Sequence, residues 1–380
     1  MAATAKEMSP RQRMLAVLNR RLPDRVPVTP DVSMMMPARY TGKLFWDVWV
    51  NQDPPLWKAH LALQERFGYD AIMGAGLGSG PDDPPTETRI VSKGEERWVV
   101  EEITHTPKGD LSVRTAYFPA KSPWIMKPLV TDPEAELDAL LATLTDPWSK
   151  DIAHAQEVRE ATGDHGILSA GASVPPAWWL YSRRDLSRSV LDFYDRTDLV
   201  EHAMDAYGEW ALDYLRATCV RVHPDLLMFS GSVASMSVIS PELYRRYALP
   251  WLQKATEIAR NHGVFTGVHM CGRSQAALPI LAESGIDLIE PLEAIPGGDV
   301  NLAQVKQQYG DTFILKGNVN TFQTLAKGSP ADVTAEAKKV IEDAGAGGGL
   351  ILSTGDQVSV DTPEENFVAL IQAAGLCGTY

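Results

Sequence analysis

From about residue 133 onward, short apolar runs alternate with longer segments whose apolar residues recur at helical spacing. The short runs have the length and composition of buried strands, and the longer ones those of amphipathic helices. The predicted strands are 166–170, 226–229, 264–268, 288–289, 313–316 and 350–353, and helices between them include 199–217, 241–262 and 333–344. This alternation indicates parallel βαβ units, and their number favours a closed (β/α)8 barrel, the TIM barrel, over an open sheet.

The N-terminal third has a different pattern. Ser9 and Pro10 mark a helix start, and residues 26–28 follow a turn as a first strand. Residues 88–118 contain three β-type runs separated by turn signals, which predict an antiparallel meander. We therefore predict one α/β domain over residues 1–380, a barrel with an N-terminal extension and a meander inserted at 88–118.

The predicted strand at 264–268 leads directly into His269-Met270-Cys271-Gly272. Because side chains alternate between the faces of a strand, His269 and Cys271 are expected to point to the same side. An imidazole and a thiolate at a strand end are typical ligands of a zinc-type metal site. In a barrel this position lies at the carboxyl ends of the strands, where active sites are found.

Composition limits the partners. The formal net charge of -14 and a pI near 5.1 argue against nucleic acid or an anionic membrane, because no basic surplus exists to neutralise phosphates. No apolar run reaches the roughly 20 residues of a membrane span, and the first residues lack the apolar core of a signal peptide. Three cysteines are too few for a disulfide framework, so we expect a cytoplasmic protein with Cys271 reduced.

Several stretches together resemble the uroporphyrinogen decarboxylase superfamily, in the same order along the chain. They are residues 11–28, Ser240-Pro241-Glu242 with Tyr244 and Pro250, residues 269–272, residues 315–320, residues 347–352 and residues 361–366. The resemblance implies the barrel fold over nearly the whole chain. It also implies one of two activities, porphyrinogen decarboxylation or corrinoid-dependent methyl transfer.

The decarboxylase class departs from this chain at two places. Its members hold substrate carboxylates with an arginine-rich N-terminal stretch, where this chain retains at most Arg39. They also place an aspartate after the second strand, where residues 72–76 here carry no carboxylate. Because desolvated carboxylates need convergent cations, porphyrinogen decarboxylation is disfavoured.

The methyltransferase class implies that His269 and Cys271 bind Zn²⁺. The third ligand of that class comes from the last strand, commonly a cysteine, and here the position corresponds to Asp356. Glu290 and Glu293, at the next strand end, are alternative ligands, and Asp356 could equally cap a turn. A His/Cys/Asp shell is less electron-rich than His/Cys/Cys, which suits an oxygen leaving group better than a thiol acceptor.

The leading hypothesis is therefore a zinc-dependent O-demethylase that passes a methyl group from a methoxylated aromatic compound to cobalamin. The sequence has no Asp-x-His-x-x-Gly motif, so the cobalamin is expected on a partner corrinoid protein, and a homodimer is left open. Expected substrate contacts are Trp178, Tyr181, Met228 and Asn318, although both Trp178 and Trp179 could be core. Methanol, methylamines and methylthiols stay open as donors. Decarboxylation of a small acid and non-catalytic binding of a tetrapyrrole or corrinoid are the alternatives.

Overall fold

The computed structural model describes residues 7–181 and 183–380, and a curved parallel sheet lies at its centre. The strands in chain order are β1 (Ala71–Gly74), β2 (Thr86–Lys93), β3 (Trp98–Thr106), β4 (Gly109–Tyr117), β5 (Trp124–Lys127), β6 (Gly166–Ala170), β7 (Leu226–Ser230), β8 (Phe265–His269), β9 (Leu288–Glu290), β10 (Ile314–Val319) and β11 (Leu350–Thr354). Within the described residues the parallel sheet has seven strands in the order β1-β6-β7-β8-β9-β10-β11. Strand order follows chain order, as in a singly wound barrel.

The segment around Val28 lies between the two outer strands of this sheet. Val28 forms a parallel bridge with Leu352 of β11, and the Leu352 N–H donates to the Pro27 carbonyl at 2.8 Å. On the other side, the Asp70 N–H donates to the Val28 carbonyl at 2.8 Å, immediately before β1. Val28 thus occupies the eighth position, and the predicted (β/α)8 barrel is confirmed.

The helices follow the predicted alternation with the strands. They are α1 (Pro10–Leu18), α2 (Met35–Tyr40), α3 (Phe45–Trp49), α4 (Leu56–Phe67), α5 (Pro133–Leu141), α6 (Ala153–Thr162), α7 (Pro175–Leu180), α8 (Leu186–Asp195), α9 (Thr197–Arg221), α10 (Pro241–Tyr247), α11 (Leu249–Asn261), α12 (Leu278–Ser284), α13 (Leu302–Tyr309), α14 (Pro330–Ala344) and α15 (Glu364–Cys377). The helix predicted at 241–262 is in fact two helices, because Pro250 starts a new one in its first turn. In the part of the chain that the structure describes, every helix is too short or too polar to cross a membrane.

Helix α1 closes the amino end of the barrel. Ser9 caps it through a capping box with Gln12. Its apolar residues join a buried layer with inward-facing residues near the amino ends of the strands; the layer contains Met14, Val17, Leu18, Ile167, Leu226, Leu288, Ile314 and Ile351. Because this end is packed with side chains, only the carboxyl end is left to form a site.

The inserted antiparallel sheet is larger than predicted. It has the order β2-β3-β4-β5 and runs from Thr86 to Lys127, so a fourth strand lies beyond the predicted limits of 88–118. Strand β2 is solvent-exposed along its length. The sheet is anchored through Trp98 of β3, whose ring stacks on the ring of Trp46 of α3 with centroids 5.1 Å apart. This anchor joins the insertion to the N-terminal helices.

Candidate metal and substrate site

A cavity of about 590 Å³ opens at the carboxyl end of the barrel, opposite α1. Its floor is formed by residues at strand ends, among them Met73, Ser169, Met228 and His269. Loop residues complete the walls, including Asp31 after the Val28 segment. The cavity is large enough for a small organic substrate.

Three predicted ligands meet in this cavity. One donor atom each from His269, Cys271 and Asp356 lies within 4.8 Å of the other two. His269 ends β8, Cys271 follows two residues later, and Asp356 follows β11. All three side chains are half-buried, so the cluster is shielded yet reachable from the cavity.

Glu290 fixes the orientation of His269. The His269 Nδ1 lies 2.9 Å from Glu290 Oε1, and Lys316 Nζ forms an ion pair with Glu290 Oε2. Both carboxylate oxygens are therefore engaged, and Glu290 supports His269 instead of offering a free oxygen to a metal. Burial would raise the pKa of Glu290, but the charge of Lys316 and the bond to His269 lower it to about 2. A carboxylate that holds the outer nitrogen of a histidine is the usual support of a metal-binding imidazole.

The charge around His269 favours a cation. Burial alone would lower its pKa, but hydrogen bonds to Cys271 and Glu290 outweigh burial, so the pKa of His269 is raised above its ordinary value. The pKa of Asp356 is raised as well, first by burial and then by the neighbouring Asp31 and Glu290 carboxylates. Surroundings that stabilise a proton between these groups also suit a metal cation.

Backbone geometry places Cys271 against His269. Gly272 has φ +75°, and a side chain there would come within 2.7 Å of Ser237 Oγ. Its N–H donates to Glu293 Oε2 at 2.8 Å, while Met270 between the two ligands is buried in the core. A glycine is needed here because a left-handed conformation and a close approach coincide.

Asp356 is fixed through its backbone. Its N–H donates to Thr321 Oγ1 at 3.1 Å, and that hydroxyl lies 3.1 Å from the Asp356 carbonyl. The preceding Gly355 N–H donates to the Val319 carbonyl at 2.7 Å. These bonds hold the loop after β11 so that the Asp356 side chain lines the same cavity as His269.

Glu293, the other alternative ligand, is placed differently. It lines a neighbouring cavity of about 200 Å³, and burial together with Asp356 raises its pKa. Its bond to the Gly272 N–H indicates a role in shaping the loop after Cys271. The ligand role of Glu293 stays a prediction without geometric support.

The four predicted substrate contacts separate into two groups. Tyr181 and Met228 line the main cavity, Tyr181 with 59% of its surface exposed. Trp178 is buried and stacks on Tyr207 with centroids 4.4 Å apart, and Asn318 donates to the Leu292 carbonyl at 2.7 Å and lines the smaller cavity. Of the four, only Tyr181 and Met228 are therefore brought to the cluster.

Sequence reasoning missed two charged residues and one histidine of the cavity, Asp31, Lys316 and His60. A lysine within the apolar run of β10 is a signal, because a buried amine needs a partner. Asp31 follows the first predicted strand and carries the same strand-end signal as His269. His60 lies on α4, and its burial is visible only in the folded chain.

The donor set fits zinc. Nitrogen, sulfur and carboxylate oxygen are its usual ligands, and three protein ligands with an open fourth position are typical of catalytic zinc. The Glu290 contact leaves the Nε2 of His269 for the metal. His269, Cys271 and Asp356 are thus the residues that would hold it.

Arg39 is the one arginine that this chain retains from the arginine-rich stretch of the decarboxylases, and it lies outside the main cavity. Arg39 donates to the Val360 and Thr362 carbonyls at 2.7 and 2.8 Å. Among the described residues, no arginine lines the main cavity. A substrate with several carboxylates would find no guanidinium there.

Much of the chain is similar in sequence to known proteins. The family model described as Uroporphyrinogen decarboxylase (URO-D) matches residues 122–375. The chain is 33% identical over 178 residues to the methylcobamide:CoM methyltransferase MtaA of Methanosarcina barkeri, covering 47% of this chain and 49% of that protein. It is 29% identical over 177 residues to the methylcobamide:CoM methyltransferase MtbA of Methanosarcina mazei, with the same 47% and 49%.

The structural likeness extends further than the sequence likeness. A solved methyltransferase from Methanosarcina mazei superposes with a TM-score of 0.65 at 22% identity, covering 97% of this chain and 99% of that one. The sequence matches, in contrast, span about half the length of the two curated relatives. The fold is thus shared across 97% of the chain, and the sequence similarity to the two curated relatives covers 47% of it.

Proposed function

Because the chain belongs to the uroporphyrinogen decarboxylase family, we propose that it is a corrinoid-dependent methyltransferase that demethylates a small O-methyl donor. The donor we favour is a methoxylated aromatic compound, and the acceptor is the cobalamin of a partner corrinoid protein. The observation that carries the proposal is the meeting of His269, Cys271 and Asp356 in one open cavity. The names of the two relatives support methyl transfer involving a corrinoid.

The reaction is a transfer of one methyl group. The carbon–oxygen bond breaks with both electrons left on the oxygen, and the carbon–cobalt bond forms with the electron pair of cob(I)alamin. The products are methylcobalamin and, after uptake of one proton, the phenol. Zinc bound at the cluster would act as a Lewis acid that lowers the cost of the departing oxygen.

The chain's own residues position the donor and the ligands. Met228 and Tyr181 offer apolar and aromatic surface beside the cluster, which suits a planar ring. Glu290 and Lys316 hold the His269 ring without entering the cavity as free charges. Asp356 stands where the corrinoid-dependent methyltransferases that this sequence resembles commonly have a second cysteine. It gives the ligand shell a harder oxygen donor.

Metal analysis with a matched cysteine control tests the site. We expect about one zinc ion per wild-type chain, lost in Cys271→Ala but retained in Cys377→Ala, because Cys377 lies at the end of α15. Incubation with cob(I)alamin and a panel of methoxyarenes should then produce the absorbance of methylcobalamin. Wild-type protein that binds no zinc, or that transfers no methyl group when zinc is bound, would contradict the proposal.

A second candidate is methylation of a thiol, favoured by the names of the relatives, which are methylcobamide:CoM methyltransferases. Thiol methylation suits the more electron-rich His/Cys/Cys shell, so Asp356 argues against it. Methylcobalamin and 2-mercaptoethanol test this alternative directly. We expect slow demethylation of methylcobalamin by wild type and a faster reaction in Asp356→Cys; a fast wild-type reaction would favour the thiol acceptor.

A further inference from the structure

The main cavity contains acids that are not balanced by free cations. The carboxylates of Asp31 and Asp356 both line it. Such an arrangement determines the charge of the molecule that can enter, because a desolvated anion needs a cationic or hydrogen-bonding partner.

Neither of the other two basic residues in the cavity can supply that partner. Lys316 is 5% exposed at its side chain and is paired with Glu290. His60 is neutral at physiological pH, because burial lowers its pKa to about 4. The described lining contains no arginine, so outside the His269 cluster a substrate carboxylate would meet no available positive charge from the protein.

Zinc bound at the cluster would add no formal net charge. Cys271 and Asp356 each contribute one negative charge as ligands, and together they offset the two positive charges of Zn²⁺. The Asp31 carboxylate then remains as a negative group on the cavity wall. The zinc-loaded donor site is thus neutral to negative.

One carboxylate oxygen of Asp31, Oδ2, is available to accept a hydrogen bond from a substrate. Its Oδ1 accepts the Ser33 N–H at 3.1 Å and the Ser33 hydroxyl. Its backbone is fixed by the Thr354 hydroxyl and by the Val358 N–H, which donates to the Asp31 carbonyl at 2.8 Å. Oδ2 receives no hydrogen bond from the described residues, so it can accept one from a hydroxyl of the substrate.

We infer that the cavity takes an uncharged aromatic methyl ether and rejects aromatic acids, and that Asp31 is a specificity-determining residue. This inference rests on the proposed function and names the substrate class of the same site. Asp31 repels a ring carboxylate and accepts a hydrogen bond from a neutral phenol. The methoxy oxygen of that phenol then lies on the side of His269, Cys271 and Asp356.

Two ligands that place either a hydroxyl or a carboxylate beside the methoxy group test the inference. Binding of 2-methoxyphenol and of 2-methoxybenzoate to the zinc-loaded full chain is measured by calorimetry. We expect the benzoate to bind at least about 100-fold more weakly, since an unpartnered carboxylate costs more than two tenfold steps in affinity. Equal or tighter binding of the benzoate, or binding of neither ligand, would overturn the inference.

Two substitutions assign the effect to Asp31. Asp31→Asn keeps an oxygen that can accept from Ser33 but removes the negative charge. It should reduce the difference in affinity between the two ligands by at least about tenfold. Asp31→Glu keeps the charge and should keep the preference. Zinc content should be unchanged in both, and zinc loss in Asp31→Asn would identify Asp31 as a metal ligand and overturn its role in specificity.

Methyl transfer separates this inference from the proposed function. Transfer from both ligands with equal kcat/KM supports the methyltransferase and contradicts the preference. Preferential binding of the phenol without transfer from any donor contradicts the methyltransferase and leaves the charge selection intact.

Discussion

At the amino end of the barrel, acidic side chains meet arginines, whereas at the carboxyl end they meet one another. Arg13 contacts Asp24 at 2.7 Å and Asp70 at 2.5 Å, and Arg11 contacts Asp225 at 2.6 Å. Among the acids that the structure describes around His269, only Glu290 has such a partner, Lys316. The arginine–aspartate pairs hold α1 in place, whereas the acidic groups around His269 favour binding of a cation in the cavity.

The largest effect should follow from breaking the amino end. Arg13 is 1% exposed, and Arg13→Ala leaves Asp24 and Asp70 without their main partner. We expect the free energy of unfolding to fall by about 3–5 kcal/mol, the cost of an uncompensated buried charge. Urea unfolding measures the change.

The exposed pair of Arg66 with Glu364 provides the control. Arg66→Ala should leave the unfolding midpoint unchanged, because solvent screens an exposed pair. Equal destabilisation by both substitutions would contradict the distinction between buried and exposed pairs.

A smaller effect should appear at the carboxyl end as a pH dependence. The pKa of His60 is lowered from 6.5 to about 4, so between these values the unfolded chain binds a proton that the folded chain does not. Stability should therefore fall as pH decreases from 6.5 to 4, by about 2 kcal/mol for a partly exposed group, and be fully retained above pH 6.5. The His60→Gln variant should not show this pH-dependent loss of stability, as measured by urea unfolding at pH 7 and pH 4.

The contact of Glu290 with His269 should influence metal binding more than stability. Glu290→Gln weakens the support of the imidazole, and zinc affinity should fall about 10- to 100-fold. Competition with a chelator measures the affinity. Glu293→Gln is the matched control; if it lowers zinc affinity while Glu290→Gln does not, Glu293 is the ligand and the assignment of Glu290 is wrong.

The smallest effect should come from the rim of the cavity. Tyr181 is largely exposed, so Tyr181→Ala should change the free energy of unfolding by less than about 0.5 kcal/mol. The KM for an aromatic donor should rise about threefold, because part of one aromatic contact is lost. An unchanged KM would remove Tyr181 from the substrate contacts.

The parts of the fold that could be predicted are those set by local pattern. Strand β6 was expected at its observed limits, because its apolar run is flanked by a glycine and a small-residue loop. The Val28 segment shows its role as the eighth strand only through Leu352 and Asp70, which lie far away in the sequence. The fourth antiparallel strand was missed because four residues carry too weak an alternation.

The candidate site was predictable only as far as its residue types and strand ends. His269, Cys271 and Asp356 stand at such ends, and the structure brings them together. Lys316 and Glu290 come from different strands, so their pairing depends on the register of β9 and β10. Which of Trp178 and Trp179 faced the core could not be read from adjacent positions, and both are buried.

Closure of the barrel joins distant parts of the chain. The Ser353 hydroxyl donates to the Thr29 carbonyl at 2.7 Å across 324 positions, and Val28 has its bridge to Leu352 in the same region. During synthesis on the ribosome, the segment around Val28 emerges long before β11 exists. Its apolar edge must stay without that partner until the last barrel strand is made, because contacts of such long range form late. A nascent chain stalled before residue 350 should therefore lack the closed cavity and depend on chaperones to remain unaggregated.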